Sequence, residues 1–180
     1  MKYLINIVLF CFSFSPLFAI EHAIKFVITD TSVQYGKQSI AAISEQANVS
    51  LFKTQVNGLA HIDGNLNASR ATLSDVVVNG SATLSDCTIS GSISVYGELQ
   101  LHNCQVTGQV STYALYLLLD NTTAGSILVL NGQDLQQTVE LRHKSLINSS
   151  ITFEQGSGTL NLWGGSYYAG TLTGGSSIRK

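Results

Sequence analysis

The 180-residue chain has one proline, Pro16, and little charge: nine Lys and Arg stand against eleven Asp and Glu, 11% of residues in all. Proline has no N–H to give to a β-ladder. Its absence after position 16 leaves every later residue able to donate, as a chain of stacked strands requires. Without a run of Lys or Arg there is no electrostatic footprint for nucleic acid. Without a polybasic or amphipathic helical stretch there is none for a membrane surface. No apolar stripe recurs at i, i+3, i+4 and i+7, and Gly, Ser, Thr, Asn and Val dominate, which excludes a helical fold. The four histidines, His22, His61, His102 and His143, pair with no other His or Cys at a metal-binding spacing. With no catalytic constellation and no cofactor motif, the sequence reads as a non-enzyme that needs neither metal nor cofactor.

Residues 1–19 have the form of a secretory signal peptide. Lys2 supplies the positive start, Tyr3 to Phe14 the apolar run, and Ser15 to Ala19 the approach to a small residue at the cleavage point. Cys11 lies inside the apolar run, too early for a lipoprotein cleavage site. No second apolar run of membrane-spanning length follows. The expectation is an exported protein, periplasmic or extracellular, with cleavage near Ile20 and no membrane span in the mature chain.

What is abundant is repetition. Gly91, Gly108 and Gly125 lie 17 residues apart, as do Cys87 and Cys104, and Asp86, Asn103 and Asp120. Self-similarity at a short fixed period marks a solenoid. In the copy 92–108 the apolar pairs are Ile93 and Val95, Leu99 and Leu101, Cys104 and Val106. Spacing by two is the strand period. Three short strands per coil, each turning two side chains inward, predict an all-β chain: a single-stranded parallel β-helix, or β-solenoid, with triangular coils of about 17 residues. The copy 109–125 offers Val110 and Thr112, Tyr116 and Leu118, Asn121 and Thr123. The last full coil offers Ile151 and Phe153, Leu160 and Leu162, Gly165 and Tyr167. Gly64, Gly80 and Gly97 share a corner and suit a positive-φ turn; Asp86, Asn103 and Asp120 precede the third edge, where Asp and Asn tolerate left-handed geometry. The template fits residues 42–170 as about seven coils, with residues 20–41 read as an N-terminal cap and 171–180 as a C-terminal tail.

The chemistry-bearing residues each have a structural explanation beside a functional one. Asp75, Asp86 and Asp120 would suit a polysaccharide-cleaving β-helix if they met on one face, but they fall at positions that Gly91, Asn103 and Arg70 fill in other copies, which is turn chemistry. Cys87 and Cys104 match in adjacent coils. They form either a buried thiol ladder or, in an oxidising compartment, a disulfide. Tyr96 and Tyr113 match at an outward corner, and Trp163 and Tyr168 are expected to alternate outward on the last full coil. Such an aromatic strip binds sugar or a partner protein, or packs across strands on a solvated face.

The stretch 42–170 resembles the bactofilins, polymer-forming cytoskeletal proteins of bacteria, in its Gly-bounded short strands, as in GSISVYGELQLHNCQVTG (91–108), and in its three-edged turn. The resemblance implies a right-handed triangular β-helix without enzymatic activity that polymerises end to end. Bactofilins are typically cytosolic, whereas this chain begins with an export signal. The reading is therefore an exported structural protein that associates with itself through the solenoid ends. The alternative is a small adhesin or carbohydrate-binding module that meets a surface protein or glycan through Tyr96, Tyr113, Trp163 and Tyr168.

Overall fold

A computed structural model describes residues 25–29, 32–130 and 135–180. The expected signal peptide lies outside the described residues. Those residues form 24 strands and no helix, wound as a β-solenoid of about eight turns with a repeat near 17 residues. The coil 92–108 shows the plan. Ile93–Val95 lies on a first face, Leu99–His102 on a second, and Gln105 and Val106, which begin the strand Gln105–Thr112, on a third.

On each face an inward column runs as Cα partners in parallel register. On the first face Val76, Ile93, Val110, Ile127 and Ile151 stack. On the second, Leu84, Leu101, Leu119, Leu141 and Leu162 stack. On the third, Ile89, Val106, Ala124, Ile147 and Tyr168 stack. These residues are buried except Tyr168, which is partly exposed and packs against the core. No coil could bury its apolar face alone; each does so against its neighbours. Phe153, the largest fully buried side chain, fills space that Gly158 and Gly175 leave: a Cβ on Gly158 would stand 2.0 Å from its ring.

The corners depart from expectation in two ways. Gly64, Gly80 and Gly97 do not adopt positive φ. Glycine is required there because the coils approach closely: a Cβ on Gly64 would lie 2.4 Å from the Ala47 carbonyl oxygen, and one on Gly97 would lie 2.7 Å from that of Gly80. Secondly, the corner after the third face is not a break in later coils. Gln105–Thr112 and Thr123–Val129 run through it as continuous strands, with a register shift between Val106 and Gln109, and join the first and third faces into one 14-stranded sheet.

Two inward assignments are corrected by one residue. Leu117, Leu119, Thr122 and Ala124 point inward in the copy 109–125, in place of Tyr116, Leu118, Asn121 and Thr123. Four positions separate Val95 from Leu99, but five separate Thr112 from Leu117, their partners. Ala114 stands where the three preceding coils have the tight-corner glycine, and its corner is one residue longer than theirs. The left-handed position accordingly falls on Asn121, at φ 47°, and not on Asp120; Asp86 and Asn103 adopt it as expected. In the last full coil Ser166 and Tyr168 turn inward in place of Gly165 and Tyr167: two successive left-handed residues, Gly164 and Gly165, occupy a corner that holds two in the coil before, His143 and Lys144, and one in the coils up to Asn121. The expected outward Tyr168 is therefore partly buried, and Tyr167 is the exposed one.

Parallel pairing extends past the template at both ends. In the segment read as a cap, Ser32–Tyr35 pairs in parallel with Asn48–Phe52, and Lys25–Thr29 pairs with Ser32–Tyr35 antiparallel. In the segment read as a tail, Leu172–Thr173 and Gly175–Arg179 continue the first and second faces. At the N-terminal end Glu45 takes an inward position opposite Ile62 and accepts a 2.5 Å hydrogen bond from the Tyr35 hydroxyl.

Candidate functional site: the outward second face

The second face carries an outward stripe at its C-terminal border. Phe52, Ser69, Ser85, His102, Asp120 and Arg142 are successive Cα partners. Trp163 and Lys180 continue the stripe, because each directly follows a paired residue, Leu162 or Arg179. Its first half is uncharged, the exposed Phe52 followed by two serines; from His102 onward it bears titratable and charged side chains and Trp163.

Three contacts fix that second half. Glu140, 8% exposed, accepts hydrogen bonds from the Tyr116 hydroxyl at 2.6 Å and Arg142 Nε at 2.9 Å. Burial by itself raises its carboxyl pKa; the hydrogen bonds from Arg142 and Tyr116 and the guanidinium charge outweigh this and hold the group below its usual range. Burial, then the hydrogen bond to Glu140, pushes the Tyr116 phenol up to about 12. Asp120 Oδ1 meets His143 Nδ1 at 2.5 Å, with His102 Nδ1 3.8 Å from its other oxygen. Trp163 lies under the Lys180 ammonium, 4.5 Å from the ring centroid. Glu140, Arg142, His143, Trp163 and Gly164 line a shallow concavity of about 360 Å³.

The residues singled out from sequence are distributed differently. Tyr96 and Tyr113 meet, their rings stacked with centroids 4.7 Å apart and planes within 6°. They sit where the first face turns into the second, whereas Trp163 follows a second-face strand and Tyr168 belongs to the third face. The four aromatics do not form one strip. The three aspartates also stay apart. Asp75 Oδ1 accepts the Ser92 N–H at 2.8 Å in one corner, and Asp86 Oδ1 accepts from Asn103 Nδ2 at 2.5 Å in another. Among the described residues no group of three or more His, Cys, Asp or Glu converges as a metal site, and no helix is long and apolar enough to cross a membrane.

Cys87 and Cys104 are free thiols, both buried, just before the paired Thr88 and Gln105. They belong to an inner column of small residues at the corner between the second and third faces. Ala71 N–H donates to Cys87 Sγ at 3.4 Å, Cys104 N–H to Thr122 Oγ1 at 3.1 Å, Thr122 N–H to Ser145 Oγ at 3.0 Å, and Ser145 N–H to Ser166 Oγ at 3.0 Å. The Sγ and Oγ groups in turn donate to nearby carbonyls, Cys104 to His102 and Thr122 to Asp120 among them. This corner therefore leaves no buried side-chain polar atom without a partner, in keeping with all the described residues. Hydrogen bonding between the two thiols lowers the Cys87 pKa and raises that of Cys104, and burial pushes Cys104 further up.

Sequence reasoning singled out Trp163 in the concavity but missed Glu140, Arg142 and His143 as its neighbours. The signal for them was the repeat itself: with one residue added at the Ala114 corner, His102 and Asp120 fall on one template position, and Arg142 joins them once the longer link between Val129 and Val139 is also allowed for. No family model, no curated protein and no solved structure matches this chain.

Proposed function

We propose that the chain is an exported, non-enzymatic structural protein that associates with itself through its solenoid ends. The observation that carries this reading is the outer edge of Gly175–Arg179, the last strand in the ten-stranded sheet of the second face, which faces no further strand among the described residues. Such an edge is a row of unpaired donors and acceptors and a template for pairing. The Gly174 carbonyl accepts from Gly158 N–H, and Lys180 N–H donates to the Leu162 carbonyl. Strand alternation then turns the N–H and C=O groups of Ser177 and Arg179 to the open side. The side chains of this strand are all exposed, Ile178 among them. At the opposite end Lys25–Thr29 covers the same sheet as an antiparallel strand. The two ends therefore differ, and the C-terminal edge is the favoured contact, meeting its own kind in a closed two-fold dimer. Filaments follow if the N-terminal strand also yields. The export half of the reading rests on residues 1–19 and is tested by N-terminal sequencing of the secreted or periplasmic protein, expected to begin near Ile20.

Light scattering over a concentration series tests the association. Ser177→Pro removes an edge-facing N–H that the inner ladder does not use, a position where proline is tolerated. The expected result is association of the parent chain and loss of association in the variant with an unchanged melt. A parent chain that stays monomeric at high concentration, or a folded variant that associates equally well, overturns the proposal. The separation of Tyr96 and Tyr113 from Trp163 argues against the rival reading of one continuous aromatic binding strip.

A further inference from the structure

The concavity beside Trp163 has a composition that self-association does not require. Trp163 is the chain's one tryptophan, 36% exposed, and the covering group over its ring is the Lys180 ammonium on a flexible stem. The polar wall is held in place before any ligand arrives. Glu140 is anchored by Tyr116 and Arg142, and the His143 ring is oriented by Asp120 through Nδ1. That contact makes Nδ1 the donor in the neutral ring and leaves Nε2 as an acceptor; the His143 side chain is 72% exposed. A carboxylate, a guanidinium and an imidazole thus stand fixed at the rim of an indole.

We propose that this concavity is a saccharide-binding site in which Trp163 packs on the C–H face of a pyranose ring while Glu140, Arg142 and His143 bond its hydroxyls. A sugar ring offers an apolar face and an equatorial rim of paired donors and acceptors, the pattern presented here by an aromatic body with a few placed polar groups. The Glu140 charge is matched by Arg142, and Asp120 is engaged by His143 Nδ1. The site therefore suits a neutral, hydroxyl-rich ligand better than a phosphate or a cation. Its volume of about 360 Å³ lies at the small end of ligand pockets, roughly 300–1,000 Å³, which fits a single ring of a longer glycan. Lys180 must lift from the ring face for the sugar to pack there. The site adjoins the edge of Gly175–Arg179 through Lys180 but uses outward side chains and not that edge's N–H and C=O groups, so its binding test is read apart from self-association.

The fluorescence of the sole tryptophan reads the site directly. The full chain is titrated with neutral cello-, chito-, malto- and manno-oligosaccharides and, in parallel, with uronate oligosaccharides. The expected result is a saturable change in Trp163 emission with at least one neutral series. The affinity is expected to fall tenfold or more in Glu140→Gln and in His143→Ala, and to hold or rise in Lys180→Ala. His143→Ala, at an exposed side chain, keeps the test open if Glu140→Gln fails to fold. No saturable change with any neutral series, a response confined to the uronates, or unchanged affinity in folded His143→Ala overturns the proposal.

Discussion

Leu101 pairs with Leu119 across the second face, and both side chains are fully buried, with Leu84 on the other side of Leu101. Leu101→Ala should cost about 2–5 kcal/mol, because the stacked coils on either side leave little freedom to close the cavity. His102→Ala, one residue on and outward, should stay within about 0.5 kcal/mol. Thermal or urea melts of the two variants check this; similar costs would place the inward assignment one residue out.

The tight corner gives a second comparison. A Cβ on Gly64 would lie within 2.4–2.8 Å of the backbone at Ala47 and Asn48, whereas one on Gly36 would meet nothing within 4 Å. Gly64→Ala should destabilise by roughly 1–3 kcal/mol through overpacking. Gly36→Ala should be neutral or slightly stabilising through the unfolded chain. Denaturant midpoints at equal m-value decide between them.

The Glu140 network sets pH dependence at both extremes. Its carboxyl pKa is lowered on folding, so its contribution is present above the ordinary carboxylate range and is lost as pH falls through the lower folded value. The Tyr116 phenol is raised from 10.0 to about 12, so its contribution is complete below pH 10 and is lost as pH rises towards 12. Glu140→Gln should flatten the acid limb of a stability–pH profile, and Tyr116→Phe the alkaline limb. A profile unchanged in both variants would contradict the network.

Cys104 occupies a column position filled by Thr122, Ser145 and Ser166 in later coils, and its Sγ lies 3.3 Å from the His102 carbonyl oxygen and 3.5 Å from that of Leu84. Cys104→Ser should therefore fold with a loss of no more than about 1 kcal/mol. Cys104→Leu should cost about 1–3 kcal/mol by overpacking. Cys87 and Cys104, 2% and 4% exposed, should react with a thiol reagent only on unfolding. Rapid labelling of the native chain at either position would contradict their burial.

The three faces were legible because apolar pairs at period two alternate with glycines at a steady spacing. Legibility failed where the pattern became degenerate. In Tyr116-Leu117-Leu118-Leu119 both alternations are apolar, so hydrophobicity does not choose which residues face inward, and the choice falls to the extra residue at the Ala114 corner. In Gly164-Gly165 the count of left-handed residues decides whether Tyr167 or Tyr168 enters the core, and glycine gives no side-chain signal for either. The outward site was hidden by spacing: Asp120, Arg142 and Trp163 lie farther apart in sequence than the 17-residue template and align only through the parallel register of their strands, a whole coil away. Burial follows local periodicity, whereas contacts between outward side chains follow register.

Hydrogen exchange at the amides of Ser177 and Arg179, followed residue by residue by NMR at low and high protein concentration, tests end-on self-association most directly. These N–H groups face the open edge of the second face, so in a monomer they exchange freely. Self-association through that edge should protect them, together with the Gly175 amide on the same side and not the inward-bonded Ser176 and Ile178, as concentration rises. Exchange at both amides that stays fast and independent of concentration, while the Leu101 and Leu119 amides remain protected, would contradict it.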